Sequence, residues 1–136
     1  MHTVTVTRRV HFNAAHRLHN PAMSDAENAL VFGPCNNPNY HGHNYELDVS
    51  VVGDIDPWTG YVADLGEVKR IVEERVVARL DHRNLNLDVP EFKSLNPTTE
   101  NLVVVIWKLL DGHLPGRLSK LKLWETPRNY AEYSGG

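Results

Sequence analysis

The stretch CNNPNYHGHNYELDVSV, Cys35 to Val51, holds the chain's only cysteine, then a His-Gly-His, then an alternating apolar run. Tyr45, Leu47, Val49 and Val51 occupy odd positions with polar residues between most of them, the pattern of a half-buried strand. Side chains two apart on a strand point to the same face. His41 and His43 share the odd parity, so both imidazoles project from the apolar face, near its edge.

A second strand precedes this one. From Val4 the apolar residues fall on even positions, Val4, Val6, Val10 and Phe12, with threonines and Arg9 between them. If that strand runs on through Ala14, His16 leaves from its buried face. Pairing of the two strands would bring three imidazoles together. Three histidines with one open position form the ligand set of a catalytic zinc site. Against this, a single histidine on an apolar face is more often a hydrogen-bonded core residue, and the register is not fixed by sequence. His2, His11, His19 and His113 lack a comparable setting and read as surface or loop residues.

Elsewhere GDIDPWTG is rich in turn formers and is expected to reverse the chain into a short strand at Tyr61 to Ala63. The period then changes. Leu65, Val68, Ile71, Val72, Val76 and Leu80 are spaced for one face of a helix, with Asp64 and Glu67 as its start signal. NPTTENLVVVIWKLLDGHL predicts a second helix, entered at Pro97 and Thr98 and ending near Gly112. Leu121 and Leu123 give another strand, and YAEY a last one. Strands at both ends with helices between them predict an α+β domain with an antiparallel sheet.

At 136 residues the chain is expected to be one domain, 1–136. Its composition, 41% hydrophobic and 23% charged, is that of a globular protein. A net charge of −3 argues against a nucleic-acid or anionic-membrane binder. The N-terminus alternates rather than forming the apolar block of a signal peptide, and LVVVIW is too short to span a bilayer. A lone cysteine cannot form an internal disulfide, which fits a cytoplasmic location. No repeat or low-complexity segment is present.

Three further features carry chemistry. Cys35 is either an inert small residue or, beside a cation, a thiol with enhanced thiolate character. Asp81 and His82 follow the first helix; a carboxylate beside an imidazole can tune a proton shuttle, although adjacent residues rarely face each other. Glu125 shares parity with Leu121 and Leu123, so it ends the strand's apolar side. A carboxylate there is costly unless paired, and a ligand with amide and amine donors could supply the pairing. Thr98, Thr99 and Glu100 are helix-entry residues whose free backbone N–H groups could also hold a ligand.

Taken together, FNAAHRLHN, VFGPCNNPNYHGHNYELDV, GDIDPWTGYVADL, LDHRNLNLDVP, PTTENLVVVIW and LWETP resemble the 6-pyruvoyltetrahydropterin synthase family, from the first strand to Glu125. The resemblance implies the tunnelling fold: a four-stranded antiparallel sheet with two helices, trimerising into a barrel, with two trimers stacked as a homohexamer. It implies His16, His41 and His43 as Zn2+ ligands and Cys35 as general base. It further implies Asp81 and His82 as a proton relay reaching the zinc of a neighbouring subunit. Glu125 is implied as the pterin anchor with a share in the relay, and Thr98, Thr99 and Glu100 as residues lining its pocket. The implied reaction converts 7,8-dihydroneopterin triphosphate to 6-pyruvoyltetrahydropterin with release of triphosphate. Two departures stand out: HFNAAHRL replaces a serine-rich version, and Tyr40 stands where glycine is common. Relatives making 6-carboxytetrahydropterin for queuosine commonly have three residues between cysteine and His-Gly-His. Here there are five, which favours the pyruvoyl product. Cys35 itself disfavours the folate-type relatives with glutamate at that position. A zinc- and pterin-binding module without turnover is the alternative of a different class.

Overall fold

Two long strands, β1 (Thr3–His16) and β2 (His41–Asp54), pair antiparallel along their whole length in a computed structural model describing residues 2–136. Their register answers the question that sequence leaves open. His16 lies opposite His41 and Ala14 opposite His43, with Phe12 opposite Tyr45 and Val10 opposite Leu47. Val10, Phe12, Ala14 and His16 on one strand, and Tyr45, Leu47, Val49 and Val51 on the other, are buried. Period-2 alternation thus delivers one apolar face, and the histidines stand at its end.

The sheet has five strands rather than the expected four, in the order β3-β1-β2-β4-β5. The addition is β3 (Arg83–Asn84), two residues pairing parallel with β1 at Ala14 and Ala15. So short an element carries no periodicity. The remaining pairings are antiparallel, with β4 (Arg117–Thr126) on β2 and β5 (Asn129–Tyr133) on β4. The expected strand at Tyr61 to Ala63 does not form. Asp56 N–H donates to the Tyr61 carbonyl and Gly60 N–H to the Asp56 carbonyl, so a closed loop consumes groups that a strand would need.

Helices cover the apolar face. The predicted helix from Leu65 is present as α2 (Leu65–Val72), a π-helical turn at Glu73–Val77 and α3 (Ala78–Leu80). Asp64 caps it by accepting from Gly66 N–H, and Val68, Val72, Val76 and Leu80 are buried. The second predicted helix is α5 (Thr99–Leu110), capped by Thr98, whose hydroxyl accepts from Asn101 N–H. The short α4 (Leu85–Asp88) lies between them. One helix has no counterpart in the apolar spacing: α1 (Asp25–Phe32) exposes Leu30 and Val31 and buries only Asn28. Its start is marked by a capping box in which Ser24 and Glu27 exchange hydrogen bonds. No helix among the described residues is long and apolar enough to cross a membrane.

β4 carries two irregularities. Ser50 lies opposite Lys120 but Val51 opposite Leu118, so Ser119 is an extra residue. Trp124 lies opposite Tyr130 and Thr126 opposite Asn129, which leaves Glu125 outside the ladder with β5. Bulges of this kind bend a strand and re-aim a side chain.

Candidate functional site

The end of the β1–β2 ladder gathers the three imidazoles. The rings of His16, His41 and His43 lie with centroids 4.6, 5.0 and 4.9 Å apart, each pair edge to face. One nitrogen from each can be chosen so that all lie within 4.8 Å of one another. His16 is fully buried, and its Nδ1–H donates to the Pro97 carbonyl at 2.8 Å. That bond fixes the tautomer and leaves Nε2 as the unprotonated nitrogen, the arrangement by which an outer partner orients a metal-binding histidine. Burial pushes the His16 and His43 imidazoles below their usual range, which keeps them neutral; the Glu125 carboxylate opposes this in both.

Nε2 of His16, both ring nitrogens of His41 and Nε2 of His43 are buried with no hydrogen-bond partner. Leaving several polar nitrogens unpaired in one place is costly, and a cation shared among them relieves the cost. The residues present therefore fit a metal ion such as zinc, held by one nitrogen from each imidazole.

Glu125 stands beside this cluster. Its Oε1 is 3.4 Å from His43 Nε2, and its Oε2 accepts from the Thr99 hydroxyl at 2.5 Å. The expected helix-entry trio divides in three: Thr98 is committed to capping α5, Thr99 is buried against Glu125, and Glu100 is exposed. All three still line one cleft of about 650 Å³ with Glu125, and Leu18 and Phe32 add apolar lining. Tyr45 packs beneath the rings, its hydroxyl 3.5 Å from His16 Nδ1. Burial, then the Glu125 and Cys35 charges, push its phenol far up, so it stays neutral.

Cys35 lies half-buried in a 3-10 turn, Gly33–Asn36, and its carbonyl accepts from Leu18 N–H at 2.9 Å. The turn is thus tied to the residue two places after a histidine of the cluster. Asp81 and His82 face each other after all, with His82 Nδ1 2.9 Å from Asp81 Oδ2. The expectation that neighbours diverge fails because His82 has φ of +60°, which turns its ring back. Asn13 pins the pair: its N–H donates to Asp81 Oδ1 and its carbonyl accepts from His82 N–H. The Asn13 N–H, with help from His82, holds the Asp81 carboxyl below the usual range. His82 is largely exposed and lines a different cleft, of about 530 Å³, from the one that holds Glu125.

His16, His41, His43, Glu125 and Thr99 are therefore brought together directly, with Cys35 tethered through Leu18; His82, held by Asp81, lines the other cleft, to which His43 also contributes. Sequence reasoning missed the Pro97 carbonyl. Proline before an N-cap was visible only as a helix boundary, and nothing in the residue type announces that its oxygen orients a histidine.

The chain is similar to known proteins over nearly its whole length. The family profile described as 6-pyruvoyl tetrahydropterin synthase matches residues 5–136. The chain is 50% identical over 131 residues to the 6-pyruvoyl tetrahydrobiopterin synthase of Homo sapiens, covering 96% of this chain and 90% of that protein. It is 48% identical over 132 residues to the protein of that name from Drosophila melanogaster, covering 96% and 79%. Its structure matches that of Caenorhabditis elegans 6-pyruvoyl tetrahydropterin synthase with a TM-score of 0.94 at 43% identity, covering 100% of this chain and 98% of that one.

Proposed function

The chain belongs to the 6-pyruvoyl tetrahydropterin synthase family and is a lyase of that type, and from this premise we propose its full reaction. It converts 7,8-dihydroneopterin triphosphate to 6-pyruvoyltetrahydropterin, releases triphosphate and depends on Zn2+. The observation that carries this reading is the group of unpartnered imidazole nitrogens beside a carboxylate-floored cleft.

His16, His41 and His43 would hold the zinc, which when bound acts as a Lewis acid toward the substrate's side-chain oxygens and acidifies the neighbouring C–H bonds. Glu125 accepts from the amine and ring N–H donors of the pterin, with Thr99 fixing its carboxylate, so that the side chain extends toward the histidines. Glu100 and Thr98 complete the wall of the same cleft. Cys35, as thiolate, removes a carbon-bound proton from the side chain. His82 returns a proton elsewhere on the side chain, its imidazole oriented by Asp81, and Glu125 shares in this relay. The pair serves the site of a neighbouring subunit in a homohexamer built as a dimer of trimers, a reading supported by the exposure of the His82 ring at the surface of this chain. The enzyme works in the cytoplasm, consistent with a single unpaired cysteine.

The test is to incubate zinc-loaded protein with 7,8-dihydroneopterin triphosphate and identify products by mass, alongside Cys35→Ala. Formation of 6-pyruvoyltetrahydropterin with triphosphate, lost in the variant, supports the reading. Release of acetaldehyde with 6-carboxytetrahydropterin keeps the site but changes the product. Zinc-bound, folded protein without turnover would instead be a binding module.

A further inference from the structure

Beyond His16 the chain leaves the sheet, since β2 begins at His41, and the main-chain groups of residues 17–20 lose their strand partner. Unpaired buried backbone groups are costly, so each needs another partner. Asparagine side chains supply them. Arg17 N–H donates to Asn86 Oδ1 and its carbonyl accepts from Asn86 Nδ2, at 2.8 and 2.9 Å. The Leu18 carbonyl accepts from Asn36 Nδ2 at 2.7 Å, and His19 N–H donates to Asn96 Oδ1 at 3.2 Å. Asn20 is held on both sides by Asn28, fully buried in α1. A primary amide offers a donor and an acceptor, as a peptide unit does, so these side chains act as a surrogate strand.

One member of the set differs from the others in what it touches. Asn36 follows Cys35 directly, and Leu18 is gripped from both sides by this dipeptide: its N–H by the Cys35 carbonyl, its carbonyl by Asn36 Nδ2. The Asn36 amide also donates to His19 Nδ1 at 3.0 Å, which requires the His19 proton to be on Nε2. Leu18 in turn lies two residues beyond His16. The turn bearing the thiol is therefore indexed to the strand that bears a histidine of the metal cluster.

We propose that Asn36 is a positioning residue that sets the Cys35 thiol against the reacting carbon, an inference that rests on the role proposed for Cys35 above. Removing its amide leaves Leu18 N–H on the Cys35 carbonyl and Arg17 Nε on the Asn36 carbonyl, so the loop stays attached but can pivot. A misplacement on the order of 1 Å lowers the rate about 100-fold without touching substrate binding.

The experiment compares Asn36→Ala and the near-isosteric Asn36→Asp with Asn86→Ala, which removes two amide bonds to the same segment away from the thiol. In zinc-loaded protein the Asn36 variants are expected to lose about 10- to 100-fold in kcat. Their KM should stay within about twofold, with bound zinc unchanged and a melting temperature no lower than that of Asn86→Ala, which should keep most of its kcat. Equal loss of kcat in Asn36→Ala and Asn86→Ala, or full kcat in the Asn36 variants, overturns the proposal. The iodoacetamide alkylation rate of Cys35 is read in the same samples. Should wild-type protein show no turnover, a faster rate in Asn36→Ala than in wild type and Asn86→Ala upholds the positioning role, and three equal rates remove it.

Discussion

Replacing Glu125 with glutamine tests the cleft most sharply, because the structure predicts a loss of affinity without a loss of fold. The carboxylate is held in place by the Thr99 hydroxyl on Oε2, and its side chain is only 19% exposed. A pterin offers an amine and an adjacent ring N–H, two donors that a carboxylate accepts together. Hydrogen bonds to a charged group contribute about 1.5–3 kcal/mol each. Glutamine has one acceptor oxygen and one NH₂. The Thr99 hydroxyl can reverse and accept from the amide, so the protein interior remains satisfied. The ring cannot adapt in this way, and one of its donors then meets another donor. The loss is about 2–4 kcal/mol, or roughly 30- to 700-fold in affinity. The assay is titration of zinc-loaded wild-type and Glu125→Gln protein with a pterin lacking the phosphorylated side chain, which isolates the ring. Bound zinc and melting temperature should be unchanged. A dissociation constant within about threefold of wild type would refute the idea that this carboxylate anchors the ring.

Two other outcomes follow from the site. Single replacement of His16, His41 or His43 by alanine should drop zinc well below one ion per chain after gel filtration, and zinc at 100 times its Kd should stabilise wild-type protein by about 2.7 kcal/mol. Any one variant that keeps full stoichiometry removes that histidine from the ligand set. For Asp81, the folded carboxyl lies below its usual value of 3.8, chiefly because Asn13 N–H bonds the ionised form. The unfolded chain then binds more protons near that pH, so the contribution is complete above about pH 4 and disappears as pH falls through the folded value. Urea midpoints of wild type and Asp81→Asn should differ at neutral pH and converge in acid; a constant gap down to pH ~2 would contradict this assignment.

What could be read in the sequence was whatever the pleat alone determines. The parity of His41 and His43 with Tyr45, Leu47, Val49 and Val51 placed them on the buried face, and His16 followed from Phe12 by the same rule. Only the pairing of His16 with His41 had to come from the structure. The first long helix was equally legible, because Val68, Val72, Val76 and Leu80 keep to one side even across a π-helical turn. Helix α1 was not, since its exposed Leu30 and Val31 follow no helical spacing; the Ser24–Glu27 capping box was its one sequence mark. Tyr61 to Ala63 misled for the opposite reason. An apolar triplet after a turn looks like a strand, but the turn closes on Tyr61 itself. The Asp81–His82 contact was hidden because a non-glycine residue with positive φ is uncommon, and nothing in the residue types signals it.

Glu125 shows why parity can be right about a site and still incomplete about its strand. Counting back from Glu125 through Leu123 and Leu121 reaches Ser119, yet the buried residue below Leu121 is Leu118. The bulge at Ser119 absorbs the difference: Leu118 faces Val51 and Leu121 faces Val49, both within the core. Leu123 then meets Leu47 on the same face, and Glu125 points to the face of His43, which lies four residues before Leu47 near the start of β2. The second irregularity acts in the other direction across the strand. It leaves Glu125 unpaired with β5, so the residue is free of the ladder on that side while β4 continues to Thr126. A regular strand would have buried either Leu118 or the Leu121–Leu123 pair, but not both, and would have held Glu125 in a ladder with β5. One bulge therefore puts the carboxylate on the histidine face, and the other leaves it turned toward Thr99 and the cleft.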